Sequence, residues 1–431
     1  MKKSIKSLCV IVMAVFFLVG CGTNKDNKKN EGKVKLDPEN PISIRVWHYY
    51  NGSQQAAFDE LVNEFNSTKG KELGINVEGI SQGTVSDLAK TVSDSIDGKV
   101  GVDKLPDIFS SYADTAYYAQ QKGKLVDLSE YFSKEELEKY VDSYIEEGYL
   151  KNDKALYLFP VAKTTESLMI NKTDWEPFAK QTGSSLDELK TIEGVVKVAK
   201  RYYEWTDAKT PNKPNDGKAF YGRDSMANYF VIGMKQLGKD IFEIKDGNVT
   251  FNVDKKLIKR LWENYYVPYI NSYFTALGKF RSDDVKTGDI LAYTGSSMSA
   301  MYFPDRVEDD DKSYDIDYEV LPAPIMSGGE NYKVQQGADM AVTKSDKKHE
   351  YASCVFIKWF TQKEQNLQFV CESAYMPVLK SANNVKALDD IIEKKSLDIN
   401  NKTYDCLKNV MGDFDNTKYY TTKNFENGSS A

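Results

Sequence analysis

The chain has 431 residues, with 57 Lys and Arg against 64 Asp and Glu, which gives a formal net charge of −7. A chain of this length is too long for one hydrophobic core and favours two lobes. An acidic chain without a basic block is a poor binder of nucleic acid, so this class of function is excluded.

The first twenty residues have the layout of a secretory signal peptide. Lys2, Lys3 and Lys6 precede an apolar run over residues 8–18, which is too short to span a membrane. The run ends at Gly20-Cys21, which resembles the bacterial lipobox, whose cysteine is lipidated and becomes the new N-terminus. We therefore expect lipidation at Cys21 and an anchored protein on the outer face of the cell membrane. The alternative is an ordinary cleaved signal with a cysteine there by chance.

Residues 21–40 predict a flexible tether, because residues 22–33 include no apolar side chain that could be buried. Three cysteines remain beyond Cys21, namely Cys354, Cys371 and Cys406, and an odd number cannot form a complete disulfide framework. Cys354 and Cys371 stand among helical apolar positions, which predicts buried free thiols.

Strands and helices alternate through the first part of the chain. Alternating apolar residues predict a strand over 42–47, and helical spacing predicts a helix over 53–66. Further predicted strands cover 75–80, 106–109, 156–160, 167–171, 290–294, 317–321 and 340–343, and further helices cover 114–121, 224–237, 254–265, 351–361 and 362–369. This alternation predicts an α/β fold, with a mainly parallel sheet in its first lobe.

The order of five sequence blocks resembles a known family, the extracellular solute-binding proteins of ABC importers, in the branch that includes the maltodextrin-binding proteins. The blocks are Ile44-Arg45-Val46-Trp47 with the helix ending at Phe65-Asn66, Pro106-Asp107-Ile108-Phe109 with Asp114 and residues 123–128, Leu158-Phe159-Pro160-Val161 with residues 168–172, residues 288–295, and residues 337–342 with the helix over 352–360 and Tyr375-Met376-Pro377-Val378. They span most of the chain, from residue 42 to about residue 380.

The resemblance implies a two-lobe periplasmic-binding-protein-like fold with a hinge and an interlobe ligand cleft. The expected N-terminal lobe comprises residues 41–162 and 287–326, and the expected C-terminal lobe comprises residues 163–286 and 327–431. The chain is expected to cross between the lobes near 161–165, 279–286 and 325–333. Closure of the lobes on the ligand is the signal that the permease subunits of the importer would read.

The loops after strands face the cleft in open α/β sheets, so residues after the first and third predicted strands are expected to bind the ligand. They are His48, Tyr49, Tyr50, Ser53, Gln54, Ser111, Tyr112 and Asp114 in the first lobe. The other expected ligand-binding residues are Lys163, Thr165 and Glu166 at the first crossing, Asp224, Asn228 and Tyr229 at the start of a helix in the second lobe, Ser296 and Ser297 in the turn after the strand over 290–294, Gln336, Gly337 and Asp339 before the strand over 340–343, and Tyr375 before Met376-Pro377. In the maltodextrin-binding branch an aspartate at the position of Asp114 binds sugar hydroxyls. The alternative role for Asp114 is capping of a helix, and the alternative role for each aromatic residue is core packing.

The ligand expected from the resemblance is a small polar solute, a mono- or oligosaccharide. Arginine is scarce, and a site for phosphate or a dicarboxylate usually includes a bidentate arginine, so a neutral ligand is favoured. The acidic run at 308–311 is interpreted as a solvated loop rather than a calcium site, and no cofactor or metal is expected. The expected partners are the ligand, ABC permease subunits and the membrane through the lipid anchor, and the protein is expected to be a monomer. Two alternatives stay open: a secreted carbohydrate-active enzyme, and a ligand sensor for a membrane kinase.

Overall fold

The structure is a computed structural model that describes residues 34–150, 154–245, 248–309 and 312–422. The predicted signal peptide, the predicted lipidation site at Cys21 and most of the predicted tether lie outside these ranges. Residues from Leu36 onward form one compact unit. Within the described ranges, no helix combines the length and the apolar character that a membrane span requires.

Strands and helices occur along the whole unit. The strands are β1 (Ile42–His48), β2 (Ile75–Ser81), β3 (Ile108–Ser111), β4 (Glu166–Asn171), β5 (Tyr221–Arg223), β6 (Phe242–Lys245), β7 (Asn248–Phe251), β8 (Ala292–Ser296), β9 (Arg306–Asp309), β10 (Lys312–Asp315), β11 (Tyr318–Pro322), β12 (Tyr332–Val334), β13 (Asp339–Val342) and β14 (Lys418–Tyr420). The α-helices are α1 (Gly52–Ser67), α2 (Lys69–Leu73), α3 (Val85–Ile96), α4 (Ala113–Gln121), α5 (Lys134–Leu137), α6 (Asp142–Glu147), α7 (Lys172–Thr182), α8 (Ile192–Asp207), α9 (Met226–Gln236), α10 (Lys255–Glu263), α11 (Tyr266–Ile270), α12 (Arg281–Lys286), α13 (Lys347–Phe360), α14 (Lys363–Ser373), α15 (Val385–Lys395) and α16 (Asn401–Gly412). Short 3-10 helices cover Leu128–Glu130, Leu186–Lys190, Ser297–Tyr302, Lys380–Ala382 and Phe414–Asn416.

The first sheet has the strand order β13-β3-β1-β2. β1 pairs in parallel with β2 and with β3, whereas β13 is antiparallel to β3. Helix α1 covers this sheet with Phe58, Leu61 and Phe65, which recur at helical spacing and are completely buried. Helix α13 packs against β1 and β13. The mainly parallel sheet predicted for the first lobe is therefore confirmed, with an antiparallel strand added at one edge.

The second sheet has the strand order β11-β4-β8-β5. β4 is antiparallel to both β11 and β8, and β5 runs parallel to β8. All six residues of β4 are buried, because both faces of the sheet are covered. Leu168 and Ile170 belong to one apolar cluster of the second sheet, whereas Met169 between them belongs to the large cluster that also includes the first sheet.

Most predicted strands are confirmed within a few residues, but two expectations need correction. The strand predicted over 156–160 is wrong, because only a single bridge joins Phe159 to Met340 there. The solvated loop expected at the acidic run is wrong for Glu308 and Asp309, which lie in β9 and pair with β10; residues 310 and 311 lie outside the described ranges. Cys354, Cys371 and Cys406 are buried free thiols, as predicted for the first two.

Strand pairing divides the chain differently from the expected lobe boundaries. Strands β8 and β11, within the expected N-terminal segment 287–326, pair with β4 in the second sheet. Strand β13, within the expected C-terminal segment 327–431, pairs with β3 in the first sheet. The second sheet is therefore built from one continuous stretch of chain, which interrupts the strands of the first sheet.

The chain passes between the two sheets at two neighbouring places. Phe159 still bridges to the first sheet, and β4 begins at Glu166 in the second, so the first expected crossing at 161–165 agrees with the structure. No crossing occurs at 279–286, because β5 and β8 on either side belong to the same sheet. The return crossing follows β12 rather than 325–333, and Thr164 and Gln336 pair where the two crossings meet.

Candidate functional site

The edges of the two sheets that meet the crossing segments carry most of the predicted site residues. In the first sheet, the end of β3 at Ser111 pairs with the start of β13 at Asp339. In the second sheet, the start of β4 at Glu166 pairs with the end of β8 at Ser296. Both edges therefore lie where the chain passes from one sheet to the other, which is the place that the sequence predicted for the ligand.

A buried charge cluster joins the first crossing to the first sheet. The Lys163 side chain is fully buried, and its Nζ lies 2.7 Å from Asp339 Oδ1 and 2.8 Å from Glu147 Oε2. It also donates to the carbonyl of Gly337 at 3.0 Å. Burial alone lowers the pKa of Lys163, but the charges of Asp339 and Glu147 outweigh it and raise the pKa. Lys163 and Asp339 are thus engaged with each other inside the protein, where they hold the backbone of the crossing.

Burial also changes the protonation of Asp339. Its carboxyl is 1 % exposed, and burial raises its pKa above the usual aspartate value, although the ammonium group of Lys163 opposes the change. Gln335 Nε2 donates to Glu147 Oε2 at 2.6 Å and so extends the cluster to the returning chain. Glu147 lies outside the predicted site, since it stands at the end of α6, far from any strand end.

Tyrosines predicted at the first-lobe site pack closely together. The hydroxyls of Tyr49 and Tyr375 are 3.3 Å apart, and both side chains are buried. Tyr50 stacks on the ring of His48 with ring centroids 5.0 Å apart, and its backbone N–H donates to His48 Nδ1 at 3.2 Å. Tyr112 is half-buried. Tyr49, Tyr50 and Tyr375 are therefore packed in the interior, and Tyr112 keeps an accessible surface.

The fully buried imidazole of His48 has an unusual pKa for histidine. Burial lowers its pKa from the usual value of 6.5 to about 4. Because Nδ1 accepts the Tyr50 N–H, this nitrogen carries no proton in the folded protein. His48 is therefore a neutral, structural residue of the core beneath the site.

The remaining first-lobe candidates lie at two helix starts. Ser53 is exposed and Gln54 is buried in the first turn of α1. Ser111 donates from its Oγ to the carbonyl of Tyr112 at 2.7 Å. Asp114 lies in the first turn of α4, where Oδ1 accepts the Thr115 N–H at 2.7 Å. This contact fits the helix-start role that the sequence left open for Asp114, beside its role as a ligand contact.

A polar network lies between the second sheet and the return crossing, the segment between β12 and β13 that contains Gln336. The guanidinium of Arg223 pairs with Glu166, and Asn228 Nδ2 donates to Glu166 Oε1 at 2.9 Å. Gln336 Nε2 lies 3.4 Å from Asn228 Oδ1 and joins the crossing segment to this network. Arg223 also lies over the ring of Tyr229, 5.6 Å from its centroid. Arg223 is not among the residues that the sequence predicts for the site, and its only sequence signal is the rarity of arginine.

A small cavity adjoins this network. Its lining includes Glu166 and Arg223, residues of α9 that include Asn228 and Tyr229, and residues of β12 and of the loop before it. Its volume is about 20 Å³, which is room for about one water molecule. This cavity therefore adjoins predicted site residues at the start of β4 and in α9.

Asp224 stands at the end of β5, on the edge of the second sheet that meets the crossings. Its Oδ1 accepts the backbone N–H of Arg281 at 2.9 Å. A Cβ on Gly295 would lie 2.3 Å from Asp224 Oδ2, so glycine is required for the carboxylate to approach β8. Burial raises the pKa of Asp224 above its usual value, while the Arg281 N–H lowers it. The carboxylate is thus held in a fixed place, with 22 % of its side chain exposed.

Ser296 ends β8, and Ser297 joins the second sheet to the first crossing and to the end of α14. Ser297 donates from its backbone N–H to the carbonyl of Thr165 at 2.7 Å and from its Oγ to the carbonyl of Ala374 at 3.2 Å. Ser296 Oγ accepts the Met298 N–H at 3.3 Å and begins a short 3-10 helix. Thr165 is itself buried. These residues are positioned at the site, and Ser296 retains partial exposure.

Two α/β lobes joined by crossing segments, with polar side chains at the facing sheet edges, define the class of two-lobe solute-binding proteins. The chain belongs to the family of bacterial extracellular solute-binding proteins, whose family model matches residues 60–396. The predicted fold class and the resemblance to this family are confirmed. No curated protein sequence matches the chain significantly.

Solved structures with the same fold include several sugar-binding proteins. The chain is similar to the cyclic α-maltosyl-1,6-maltose binding protein of Arthrobacter globiformis, with 17% identity, 88% of each chain covered and a TM-score of 0.66. It is similar to an ABC substrate-binding protein of Listeria monocytogenes in complex with cycloalternan, with 16% identity, coverage of 91% and 90%, and a TM-score of 0.65. It is also similar to UgpB of Mycobacterium tuberculosis in complex with glycerophosphocholine, with 18% identity, coverage of 82% and 85%, and a TM-score of 0.63. At these identities the likeness shows the fold.

Proposed function

We propose that this protein captures a mono- or oligosaccharide outside the cell and delivers it to an ABC importer. One observation carries the proposal: the polar edges of the two sheets meet at a pair of adjacent crossing segments, joined at Thr164 and Gln336. A pair of adjacent crossings is a hinge about which two lobes can close on a guest. Two of the three similar structures named above are described as binding or containing a carbohydrate, which supports a sugar as the guest.

The chemistry of the site supports a neutral guest over a phosphate. Arg223 and Arg281 lie near the facing edges, and both are engaged: Arg223 with Glu166, and Arg281 with Asp284. A guanidinium already paired with a buried carboxylate is a poor receptor for a second anion. Asp224 and Asp114 at the edges instead favour hydroxyl donors, since a carboxylate accepts short bonds from a diol.

The lobes that close on the guest follow the strand pairing. We propose that residues 166–322 with β12 form the core of one lobe, and that β1, β2, β3 and β13 with their helices form the other. Helix α16 packs against both β11 and α14, so it lies across the two. Closure would bring the Asp224 edge toward the Ser111 and Tyr112 edge.

The membrane attachment belongs to the same proposal. Lipidation at Cys21 after removal of residues 1–20 would hold the protein on the outer face of the cell membrane, close to the permease subunits that accept the solute. The segment that follows Cys21 has the composition of a flexible tether. The protein would act as a monomer, without a cofactor, and as a binding protein rather than an enzyme.

A thermal-shift screen tests the ligand class. The purified protein is heated with maltose, maltotriose, mannotriose, acarbose or cycloalternan, and with amino acids, phosphate and glycerophosphocholine as controls. A specific ligand raises the melting temperature by mass action, and calorimetry then gives its affinity. A shift with at least one neutral sugar supports the proposal. A shift only with a charged compound that is not a sugar contradicts it, and release of smaller sugars from an oligosaccharide would identify an enzyme.

A further inference from the structure

A loop at the edge of the second sheet exposes two large apolar side chains. Leu277 is 68% exposed and Phe280 is 53% exposed, although they stand only three residues apart. Exposed apolar groups of this size cost free energy in water, so a ligand that covers them gains binding free energy.

The backbone of this loop is fixed rather than loose. Asp284 is buried, and its carboxylate accepts the N–H of Leu277 at 3.2 Å and the N–H of Gly278 at 2.6 Å. Asp283 Oδ2 accepts the N–H of Phe280 at 3.0 Å. The buried guanidinium of Arg281 donates to the carbonyl of Gly278 at 2.5 Å and pairs with Asp284. A buried ion pair thus fixes the backbone that carries the two apolar side chains, which reduces the ordering cost of a contact made there.

The loop borders the predicted cleft through Asp224. The N–H of Arg281 donates to Asp224 Oδ1, which ties the end of the loop to the end of β5. Asp224 Oδ2 accepts no hydrogen bond from the described part of the chain, and it lies against Gly295 at the end of β8. The partly exposed Asp224 carboxylate is therefore a neighbour of the backbone of Phe280, because Phe280 directly precedes the residue whose N–H it accepts.

This combination selects the chemistry of the guest. A sugar ring has an apolar face of C–H groups and a rim of hydroxyls, which match an aromatic wall and a carboxylate. A cation could also stack on an aromatic ring beside a carboxylate. The ammonium of Lys279, however, already lies 5.2 Å from the centroid of the Phe280 ring, so a second positive charge there would be repelled.

We propose that Leu277 and Phe280 form an apolar platform for one face of a neutral sugar ring, with the Asp224 carboxylate accepting from its hydroxyls. This inference rests on the proposed function and names the part of the second lobe that would hold the sugar. Neither Leu277 nor Phe280 is among the residues that follow a strand directly, so strand ends alone do not reveal them.

Calorimetry with the sugar that gives the largest thermal shift tests the platform in the full-length protein. Phe280→Ala should weaken binding of that sugar about tenfold, because the ring loses an apolar contact area worth that factor. Leu277→Ala should weaken it less. The matched control is Phe251→Ala, since Phe251 is equally exposed at 54% but belongs to β7. All three residues are exposed, so the melting temperature without sugar should stay near that of the wild type.

The outcomes separate the two proposals. If the wild type binds a sugar and Phe280→Ala binds it as tightly, the platform is disproved and the proposed function stands. If Phe251→Ala weakens binding as much as Phe280→Ala, the effect is not local, and the platform is again disproved. If no sugar in the panel binds, both proposals fail. If glycerophosphocholine binds and loses affinity in Phe280→Ala, the platform serves a cationic head group and the sugar assignment is wrong.

Discussion

Lys163 and Asp339 form a buried ion pair, 2.7 Å between Nζ and Oδ1, that joins the first crossing of the chain to the first residue of β13. The two residues are 176 positions apart, so this pair connects the two crossing segments and fixes the geometry of the hinge region. The cluster also includes Glu147, which gives one ammonium group two carboxylate neighbours.

Replacement of Lys163 by methionine should destabilise the protein strongly. The change leaves the carboxyls of Asp339 and Glu147 buried without their cation, and breaking a buried pair costs about 3–5 kcal/mol. Urea unfolding at neutral pH measures the loss. The matched control is Lys386→Met, which removes an exposed pair with Asp390 and should leave the stability close to that of the wild type. If both variants lose the same free energy of unfolding, the buried ion pair of Lys163 stabilises the protein no more than an exposed pair does.

Gly295→Ala should weaken ligand binding by moving Asp224. The new Cβ would lie 2.3 Å from Asp224 Oδ2, so the carboxylate must shift away from its place beside Arg281. Overpacking of this kind costs about 1–3 kcal/mol in stability as well. Calorimetry with the sugar chosen by the thermal-shift screen measures the affinity.

The control for Gly295 is Gly412→Ala at the end of α16, where the added Cβ would meet only Val385 at 3.9 Å. Alanine is the better helix former, so this variant should keep both stability and affinity. Unchanged affinity in Gly295→Ala would show that the position of Asp224 is unimportant for the ligand.

The free energy of unfolding should decrease as the pH falls, because His48 is neutral in the folded protein and is protonated more readily in the unfolded chain. Its pKa is about 4 in the folded protein and about 6.5 when unfolded, so the unfolded chain binds more protons between these values. The neutral form therefore stabilises the fold above about pH 6.5, and this contribution is lost as the pH falls toward 4. Between pH 7 and pH 5 the loss from His48 is about 2 kcal/mol.

Denaturation of His48→Asn at the two pH values isolates this effect, because asparagine does not titrate. The variant should lose about 2 kcal/mol less than the wild type between pH 7 and pH 5. If the free energy of unfolding falls by the same amount between pH 7 and pH 5 in His48→Asn and in the wild type, His48 is not the source of the pH dependence.

Cys21→Ser should abolish acylation and release the protein from the membrane fraction. Cells fed an alkyne-labelled palmitate and separated into membrane and soluble fractions provide the measurement. Cys354→Ser is the control, since Cys354 is a buried thiol in α13 and should leave labelling unchanged. Label on Cys21→Ser at the wild-type level would disprove the lipid anchor.

Local patterns in the sequence were sufficient for most of the fold. The spacing of Phe58, Leu61 and Phe65 predicts α1 and the face that it buries, because helical periodicity is a local property. The lobe boundaries were not predictable in this way. Whether β13 pairs with β3 or with a strand of the second sheet depends on contacts between residues more than 200 positions apart.

The candidate site was only partly predictable for the same reason. The sequence places Asp224 at the start of a helix, whereas the loop that carries Phe280 is ordered by Asp224, Asp283 and Asp284, of which the first is distant in sequence. Tyr49 and Tyr375 show the same limit in another way. Each follows a strand or stands near a crossing, but only the structure shows that their hydroxyls meet each other in the interior.

The strands of the second sheet all lie between those of the first, and this order constrains how the molecule assembles. A chain that emerges from its N-terminus completes β4, β5, β8 and β11 before Asp339–Val342 has appeared. All strands of the second sheet are therefore synthesised before the first sheet is complete, because the first sheet still lacks β13 and the helix α13 that packs on it. A fragment truncated near residue 330 should therefore retain a pairable inner sheet, yet leave the apolar side of α1 without its cover.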